Sequence, residues 1–371
     1  MADNKENKVL NVPALRFPEF TEEWNYESLD TIAPNITSGR SKPSLGEYNL
    51  YGSTGIIGKT ATADYSGDML LVARVGANAG SLQLVNDSCG ITDNTLIIKP
   101  CKLSSHYLYF YLQHYNLNRL VFGSGQPLIT AGMLKKVRIP FGNQLEQKKI
   151  ENFLCCIDER ITTQNKIIEK LETLIKGICN KSLYTVNGTA IQLGDILIER
   201  RERTVINNQY EVLSSTVKGI FSQREYFSKD IASENNVGYK IIRLHDVVLS
   251  PQNLWMGNVN YNDNFEVGIV SPSYKVFSIA ENLDKRYIAT LLKTHRALYN
   301  YMLVSEQGAS IVRRNLNMEA FEQITFKIPP LSKQEKIGNA ISILQARITS
   351  AIRIKTAYEA QKQWLLTQMF I

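Results

Sequence analysis

The amino-acid sequence predicts an α+β protein: two globular α/β-mixed domains, each followed by a long helix, related as a pseudo-two-fold internal repeat. Three observations support this prediction. A long apolar pattern with a 3.5-residue period occurs twice. Each copy follows a stretch of short β-type runs broken by Gly and Asn. The chain has 371 residues, which is too many for one ordinary core.

The segments follow one another in a repeated order. We expect a disordered tail at 1–10, a first globular domain at 11–142, a first long helix at 143–185, a second globular domain at 186–331, and a second long helix at 332–371. In the first domain, β-type runs lie at 48–57, 69–75 and 95–99, and a helical patch lies at 105–120. The second domain repeats this succession of short β-type runs, with loops of different length.

Each long helix carries one apolar seam. Read in steps of four and three, the seam begins at Ile150 and again at Ile337, 337 − 150 = 187 positions later. Gln164, Lys355 and Lys362 interrupt it. Burial of the seams predicts an antiparallel coiled coil of the two helices, and the alternative is that each helix packs on its own domain. The predicted seam residues are Ile150, Leu154, Ile157, Ile161, Ile168, Leu171, Ile175, Ile337, Ile341, Leu344, Ile348 and Leu365.

Both helices are preceded by sequences typical of a capping box, in which a side chain at the helix start hydrogen-bonds the backbone three residues on. The first runs from Asn143 to Glu146 and the second from Ser332 to Glu335. We expect the regular helices to run from about Glu146 to Tyr184 and from about Gln334 to Met369.

Composition narrows the classes of function. The net charge of +7 is compatible with an anionic partner. The five cysteines have no zinc-site spacing, so no metal site is predicted, and they suit a reducing cytosol. No run of 18 apolar residues is present, and the chain begins with polar residues, so we expect a cytoplasmic protein without a membrane partner.

Catalytic motifs are incomplete. A phosphate-binding loop ending at Gly58-Lys59-Thr60 would need glycine where Ser53 stands. No Asn/Asp-Pro-Pro-aromatic tetrapeptide typical of methyltransferases occurs, and no nucleophile–base set stands out. We therefore predict no catalytic residues and no cofactor bound by this chain.

Local motifs recur at the ends of the two predicted domains. Each domain ends in Ile-Pro, at Ile139-Pro140 and at Ile328-Pro329, before a helix start that contains glutamine. With the segment 13–20 and Trp24, this arrangement resembles the specificity subunit of type I restriction–modification systems. One departure from the family pattern is Lys333, where the family often has the glutamate seen at Glu146.

The resemblance implies a non-catalytic subunit that binds double-stranded DNA. Each target-recognition domain would read one half of a bipartite, asymmetric target, and the helices would act as a ruler. The helices would also dock two modification subunits, which carry S-adenosylmethionine and methylate adenine. Two restriction subunits with ATP-driven translocase and nuclease activity, and with Mg²⁺, would then join.

DNA contacts are predicted where Arg, Lys, Asn and Gln occur in turn-rich loops, because these side chains read base edges and hold phosphates. Arg74 and Gln252 each come one step after matching strands, which favours both. Ordinary solvated positions remain the alternative, and Trp255 could instead lie in a core. The candidates are Arg40, Lys42, Tyr51, Arg74, Asn78, Gln126, Arg201, Arg203, Arg224, Gln252, Asn253, Trp255, Gln307, Arg313 and Arg314.

Two other classes of protein stay open at this point. A stand-alone sequence-specific DNA-binding regulator would bind operator DNA tightly without partner subunits. A nuclease or methyltransferase would cut or methylate DNA as a purified single chain.

Overall fold

The computed structural model describes residues 11–121, 127–183, 188–226, 235–307 and 313–371, so the tail predicted at 1–10 lies outside the described residues. The chain forms two compact units. Unit 1 comprises Met1–Asn165 with Ile352–Ile371, and unit 2 comprises Lys166–Ala351. Among the described residues, no helix is long and apolar enough to cross a membrane. The predicted α+β fold class, with two mixed domains and long helices, is confirmed.

Unit 1 combines short strands with helices. Its strands are β1 (Asn25–Ser28), β2 (Thr37–Ser38), β3 (Tyr48–Gly52), β4 (Gly55–Thr60), β5 (Asp68–Ala73), β6 (Leu82–Asn86), β7 (Cys89–Ile91), β8 (Thr95–Ile98) and β9 (Arg138–Phe141). Its helices are α1 (Leu29–Ile32), α2 (Ser105–Tyr115), a 3-10 helix (Leu117–Leu120), α3 (Ala131–Lys135) and the start of α4 (Gln144–Leu183).

Unit 2 repeats this composition. Its strands are β10 (Thr189–Gln192), β11 (Leu197–Glu199), β12 (Leu213–Thr216), β13 (Gly219–Ser222), β14 (Lys240–Arg243), β15 (Val247–Leu249), β16 (Val259–Tyr261), β17 (Val267–Val270), β18 (Lys275–Ile279), β19 (Ser305–Gln307), β20 (Arg314–Leu316) and β21 (Thr325–Ile328). Its helices are α5 (Leu193–Ile196), α6 (Gln223–Tyr226), a 3-10 helix (Leu254–Met256), α7 (Lys285–Leu292), α8 (His295–Leu303) and α9 (Met318–Glu322). Unit 2 also contains α4 from Lys166 onward and α10 (Leu331–Met369) as far as Ala351, and the rest of α10 belongs to unit 1.

Sheet topology makes the repeat explicit. An antiparallel four-stranded sheet has the order β2-β8-β5-β6 in unit 1 and β11-β18-β15-β16 in unit 2. A two-stranded ladder joins the start and end of each domain, β1 with β9 and β10 with β21. A hairpin packs beside the sheet in each unit, β3–β4 and β12–β13. The two domains therefore share one scaffold.

The four-stranded sheets are covered on both faces. Along β5, Leu70 and Val72 belong to one buried cluster, whereas Met69 and Leu71 belong to another. Successive side chains of a strand point to opposite faces, so an uninterrupted apolar run indicates burial on both sides. In unit 2, β15 divides its three residues between two clusters in the same way.

The long helices pack through the predicted seams, in opposite directions, within each unit. In unit 1, Ile150 and Leu154 near the start of α4 share a cluster with Leu365 near the end of α10. In unit 2, Ile175 near the end of α4 packs against the cluster of Ile337 near the start of α10. Every predicted seam residue is buried or half-buried.

The capping box predicted for the second helix is wrong. Helix α10 begins at Leu331, so Ser332 lies inside the helix and cannot cap it. The carbonyl of Pro330 accepts the backbone N–H groups of Lys333 and Gln334 at 2.9 and 3.2 Å. A proline before the helix supplies the first carbonyl and has no N–H group of its own to satisfy.

At the start of α4 the predicted cap is present, because Asn143 Oδ1 accepts the Glu146 N–H at 3.0 Å. A glutamine in addition anchors both long helices. Gln147 Nε2 donates to the carbonyl of Gly142, and Gln334 Nε2 donates to the carbonyl of Pro329, each at 2.8 Å. Each bond runs from the fourth residue of the helix to the short segment between that helix and the strand before it. This contact ties the orientation of each helix to the β-ladder before it.

Candidate nucleic-acid interface

In unit 1, strands β2 and β5 end at the same edge of the four-stranded sheet. Both pair antiparallel with β8, and Ser38 and Val72 lie opposite the same residue, Leu96. The segment after β2 carries Arg40 and Lys42 out from this edge, and both side chains are exposed. We call this edge, where the first and third strands of each such sheet end, the loop edge.

The loop after β5 brings Arg74 to the loop edge. Its backbone N–H donates to Asn94 at 2.9 Å, and its carbonyl accepts the N–H of Ile129 at 2.9 Å. The guanidinium Nε of Arg74 is buried and, among the described residues, has no hydrogen-bond partner. Asn78 follows in the same loop with an exposed side chain. Gln126 lies outside the described residues, three positions before Ile129.

Tyr51 is directed elsewhere. Its hydroxyl donates to Asp87 Oδ2 at 3.3 Å, and Asp87 follows β6 at the edge opposite the loop edge. Burial and the neighbouring carboxylate raise the pKa of Tyr51 above its usual value. A carboxylate at this position disfavours an approaching phosphate. The structure therefore does not bring the Tyr51 hydroxyl together with the other unit 1 candidates.

In unit 2, β11 and β15 end at the equivalent loop edge. Both strands pair antiparallel with β18 and run in the same direction: Glu199, the last residue of β11, lies opposite Phe277, and Leu249, the last residue of β15, lies two positions further on opposite Lys275. The Arg200 N–H donates to the carbonyl of Val276 at 2.8 Å, so the segment after β11 continues beside β18 to the same edge. Arg201 and Arg203 follow β11 with exposed side chains, and Arg203 Nη1 donates to the carbonyl of Gly238 at 2.9 Å. The arrangement corresponds to that of the segment after β2 in unit 1.

Five candidates converge on the loop after β15. The carbonyl of Gln252 accepts the N–H of Arg314 at 3.1 Å, and Gln307 lies opposite Arg314 in the β19–β20 ladder. The Arg314 guanidinium carbon lies 4.4 Å from the centre of a Trp255 ring. Among the described residues, Arg314 Nε and Asn253 Oδ1 are buried without a hydrogen-bond partner. One donor and one acceptor in this cluster are therefore unsatisfied within the described part of the chain.

The two remaining unit 2 candidates have exposed side chains. Arg313 directly precedes β20 and is exposed beside Arg314. Arg224 lies on α6 with an exposed side chain, away from the β15 loop in the chain.

Sequence reasoning missed Asn94. This exposed residue lies in the turn before β8, and its carbonyl accepts the Arg74 N–H, so it stands at the loop edge. The turn sequence Asp93-Asn94 before a β-type run could have indicated an amide beside the candidate arginine.

The chemistry of the loop edges is recognition rather than bond making. They present guanidinium and amide groups, which are the side chains that pair with base edges and phosphates. A buried donor without a partner costs about 1–3 kcal/mol, so such groups favour a ligand that satisfies them. Among the described residues, no group of His, Cys, Asp and Glu could hold a metal ion.

Comparisons with known proteins agree with this arrangement. The family model for the type I restriction modification DNA specificity domain matches residues 9–173 and 191–357. No curated protein matches the chain.

One solved structure shares the fold, and two others are similar at lower scores. The crystal structure of a type I restriction-modification system S subunit from M. genitalium has a TM-score of 0.68 at 15% identity, and the match covers 97% of this chain and 99% of that one. A structure on complex assembly and conformational transition of the type I R-M system has a TM-score of 0.49 at 13% identity, covering 94% and 97%. The HsdS subunit from Thermoanaerobacter tengcongensis has a TM-score of 0.39 at 13% identity, covering 96% and 98%.

Proposed function

The chain belongs to the type I restriction–modification DNA specificity family, and from this premise we propose that it reads a bipartite, asymmetric DNA target. The family consists of DNA-recognition subunits rather than catalysts. The family match therefore assigns the chain as a specificity subunit. What we propose is how this subunit reads its target and which partner subunits bind it.

One observation carries the proposal: the same loop edge occurs twice with different side chains. Unit 1 presents Arg74 and Asn78 after β5, whereas unit 2 presents Gln252 and Asn253 after β15, with Arg314 beside them. Arginine pairs with guanine, while glutamine and asparagine pair with adenine. Two copies of one scaffold with different donors suit a target whose two halves differ in sequence.

The helix lengths support a spacer that is not read. Helix α4 has 40 residues, which corresponds to about 60 Å at 1.5 Å per residue. One turn of B-DNA advances about 34–36 Å. We propose that two half-sites about one turn apart are separated by bases that the protein leaves unread.

Partner subunits are the second part of the proposal. The long helices expose apolar side chains off the seam: Leu174 is 51% exposed and Trp364 is 55% exposed. Large apolar side chains act as anchors of protein interfaces when a partner buries them. We propose that these surfaces receive two modification subunits, which carry S-adenosylmethionine, and that two restriction subunits with ATP and Mg²⁺ join the assembly.

The test is co-expression of the chain with the modification subunit encoded beside it, followed by single-molecule sequencing for methylated adenine. The expected result is one methylated motif made of two short, unlike words separated by unread bases. Methylation of one continuous short word would contradict the bipartite proposal. Tight, sequence-specific binding by the purified chain, with no modified adenine in the co-expressing cells, would instead identify a stand-alone DNA-binding regulator.

A further inference from the structure

Unit 2 contains a groove of about 840 Å³ that the DNA proposal does not use. It lies between α7 and α8, the turn of the β12–β13 hairpin, the end of β16 and the parts of α4 and α10 that belong to unit 2. Its sheet residues, from His245 before β15 to Asn264 after β16, lie at the end of these strands opposite the loop edge. The groove is therefore separate from the candidate DNA contacts of unit 2.

The groove is strongly cationic. Lys176, Lys218, Arg286 and Lys293 line it, against the single acidic lining residue Asp263. Asp284 lies 3.5 Å from Arg286 and offsets part of its charge. The three lysines remain in excess over one carboxylate, which favours an anionic occupant.

A buried amide holds one of these lysines in place. Asn260 is 2% exposed, and its Nδ2 donates to Ser215 Oγ at 2.8 Å and to the carbonyl of Thr216 at 2.7 Å. These bonds fix the amide so that its Oδ1 accepts from Lys293 Nζ at 2.6 Å. Lys293 is exposed at the surface of the groove, and partial desolvation lowers the pKa of its ammonium. An anion beside this ammonium would therefore interact strongly.

The start of α8 adds positive potential to the same wall. Lys293, Thr294 and His295 line the groove, and Thr294 Oγ1 caps the helix by accepting the N–H of Ala297 at 3.2 Å. Helix α8 has nine residues, and the N-terminus of a helix carries a partial positive charge with N–H groups that suit phosphate oxygens.

Aromatic rings line another part of the groove. The rings of His245 and Tyr261 stack at 15° with centres 5.7 Å apart, and the Tyr261 hydroxyl lies 2.6 Å from His245 Nδ1. His245 has a φ of 74°, a conformation that few residues other than glycine adopt. Phe221 lies among the lining residues contributed by the β12–β13 hairpin. Rings of this kind can stack on a planar base.

We propose that this groove binds a nucleoside phosphate, with the phosphate near Lys293 and the start of α8 and the base against the aromatic rings. Its volume lies within the range of about 300–1,000 Å³ typical of small-molecule sites. The excess of lysines favours an anionic ligand, and the aromatic rings favour a planar one. A nucleotide has both an anionic phosphate and a planar base. A DNA strand fits less well, because the groove lies at the strand ends opposite the loop edge.

The test is isothermal titration calorimetry of the full chain with ATP, AMP and inorganic phosphate. ATP is expected to bind, AMP to bind more weakly, and inorganic phosphate to bind least. Lys218→Met and Lys293→Met should each weaken ATP binding at least tenfold. Lys285→Met, an exposed lysine of α7 outside the groove lining, should leave it unchanged.

Lys293→Met also removes the lysine that donates to the buried Asn260 Oδ1 and can therefore disturb the fold, whereas Lys218→Met breaks no such bond. Circular dichroism of each variant establishes that it is folded. ATP binding that is unchanged in folded Lys218→Met and Lys293→Met protein would overturn the proposal. So would inorganic phosphate binding as tightly as ATP, or tighter binding of a poly-glutamate peptide or a non-specific 20-base-pair duplex at the same lysines.

Discussion

Glu146 is a buried carboxylate that joins the segment before β1 to the start of α4. Arg16 donates to its two oxygens from Nε and Nη2 at 2.6 and 2.8 Å, and Trp24 Nε1 donates to Oε2 at 3.0 Å. The carboxylate raises the pKa of Arg16. At the equivalent position of α10, Lys333 is exposed. The departure from the family pattern at Lys333 therefore lies where, in the described part of the chain, no arginine or tryptophan contact is observed.

Glu146→Gln removes the charge but keeps the shape of the side chain. Breaking a buried ion pair leaves the other charge uncompensated, which costs about 3–5 kcal/mol when the pair is fully buried. We expect the unfolding free energy to fall by about 3 kcal/mol, measured by urea denaturation. Lys333→Gln is the matched control and should change it by less than about 0.5 kcal/mol. Equal losses for the two variants would contradict the role assigned to Glu146.

Arg74→Ala and Gln252→Ala test the loop edges. A good bidentate base contact is worth about 1–3 kcal/mol, or roughly 5- to 150-fold discrimination between bases. Each substitution should relax methylation preference at one position, Arg74→Ala in one half-site and Gln252→Ala in the other, measured by methylome sequencing. Lys99→Ala, an exposed lysine at the other end of β8, should leave both half-sites unchanged.

The alternative for either residue is a phosphate contact. Loss of such a contact weakens binding to all sequences equally and reduces the log–log salt slope by about 0.9. An unchanged methylation preference with uniformly weaker binding would refute base reading at that residue.

At the scale of elements, the seam of the long helices is not purely apolar. Lys362 occupies a seam position, is 8% exposed, and lies 2.7 Å from Asp158 of α4 within unit 1. Its ammonium also lies 5.6 and 5.3 Å from the ring centres of Tyr109 and Phe110. The lysine that interrupts the sequence pattern is thus accommodated by an ion pair and by aromatic faces.

Lys362→Met and Asp158→Asn form a double-mutant cycle at this site. Asp158→Asn leaves the buried Lys362 ammonium unpaired and should lower the unfolding free energy by about 1–3 kcal/mol. Lys362→Met leaves Asp158, whose side chain is 33% exposed and screened by water, so its loss should be smaller. The double variant should lose less than the sum of the two, with a coupling of at least about 0.5 kcal/mol by urea denaturation. Strict additivity would show that the ion pair does not contribute to the helix contact.

The outer faces of the helices offer a test of partner docking. Leu174 of α4 is exposed, whereas Leu171 on the seam is half-buried. Leu174→Glu should leave thermal unfolding of the chain unchanged but reduce co-purification of the modification subunit at least tenfold. Leu171→Glu should instead lower the unfolding temperature, because it places a charge on the seam. Normal co-purification with Leu174→Glu would exclude this face as a docking surface.

At the scale of the whole molecule, the proposed ruler predicts that helix length sets the spacer. Seven residues inserted after Gln164 and seven after Ala351, which occupy equivalent seam positions (164 + 187 = 351), preserve the seam in both helices. The insertion adds about 10 Å to each helix, or roughly three base pairs at 3.4 Å each. Methylome sequencing should find the same two half-sites with a spacer wider by about three bases. An unchanged spacer would reject the ruler.

Much of the architecture could be predicted, because it depends on apolar residues that recur at regular spacing along the sequence. The step of four and three from Ile150 identified the seam, and the apolar run around Leu70 identified a central strand. The start of α10 could not be predicted from Ser332, because the capping pattern competed with the proline that supplies the first carbonyl. The sequence also did not distinguish Tyr51 from the other DNA-contact candidates, because Asp87, which accepts its hydroxyl hydrogen bond, lies 36 positions further along the chain.

The sequence alone determined the repeat, the seam and the kinds of side chain available for DNA, since these depend on residue type and spacing along one chain. Only the tertiary structure decided which of those side chains meet. The β19–β20 ladder sets Gln307 opposite Arg314, and a backbone bond links Arg314 to Gln252, 62 positions earlier (314 − 252 = 62). Contacts across such distances follow from strand order and register, which local periodicity does not encode.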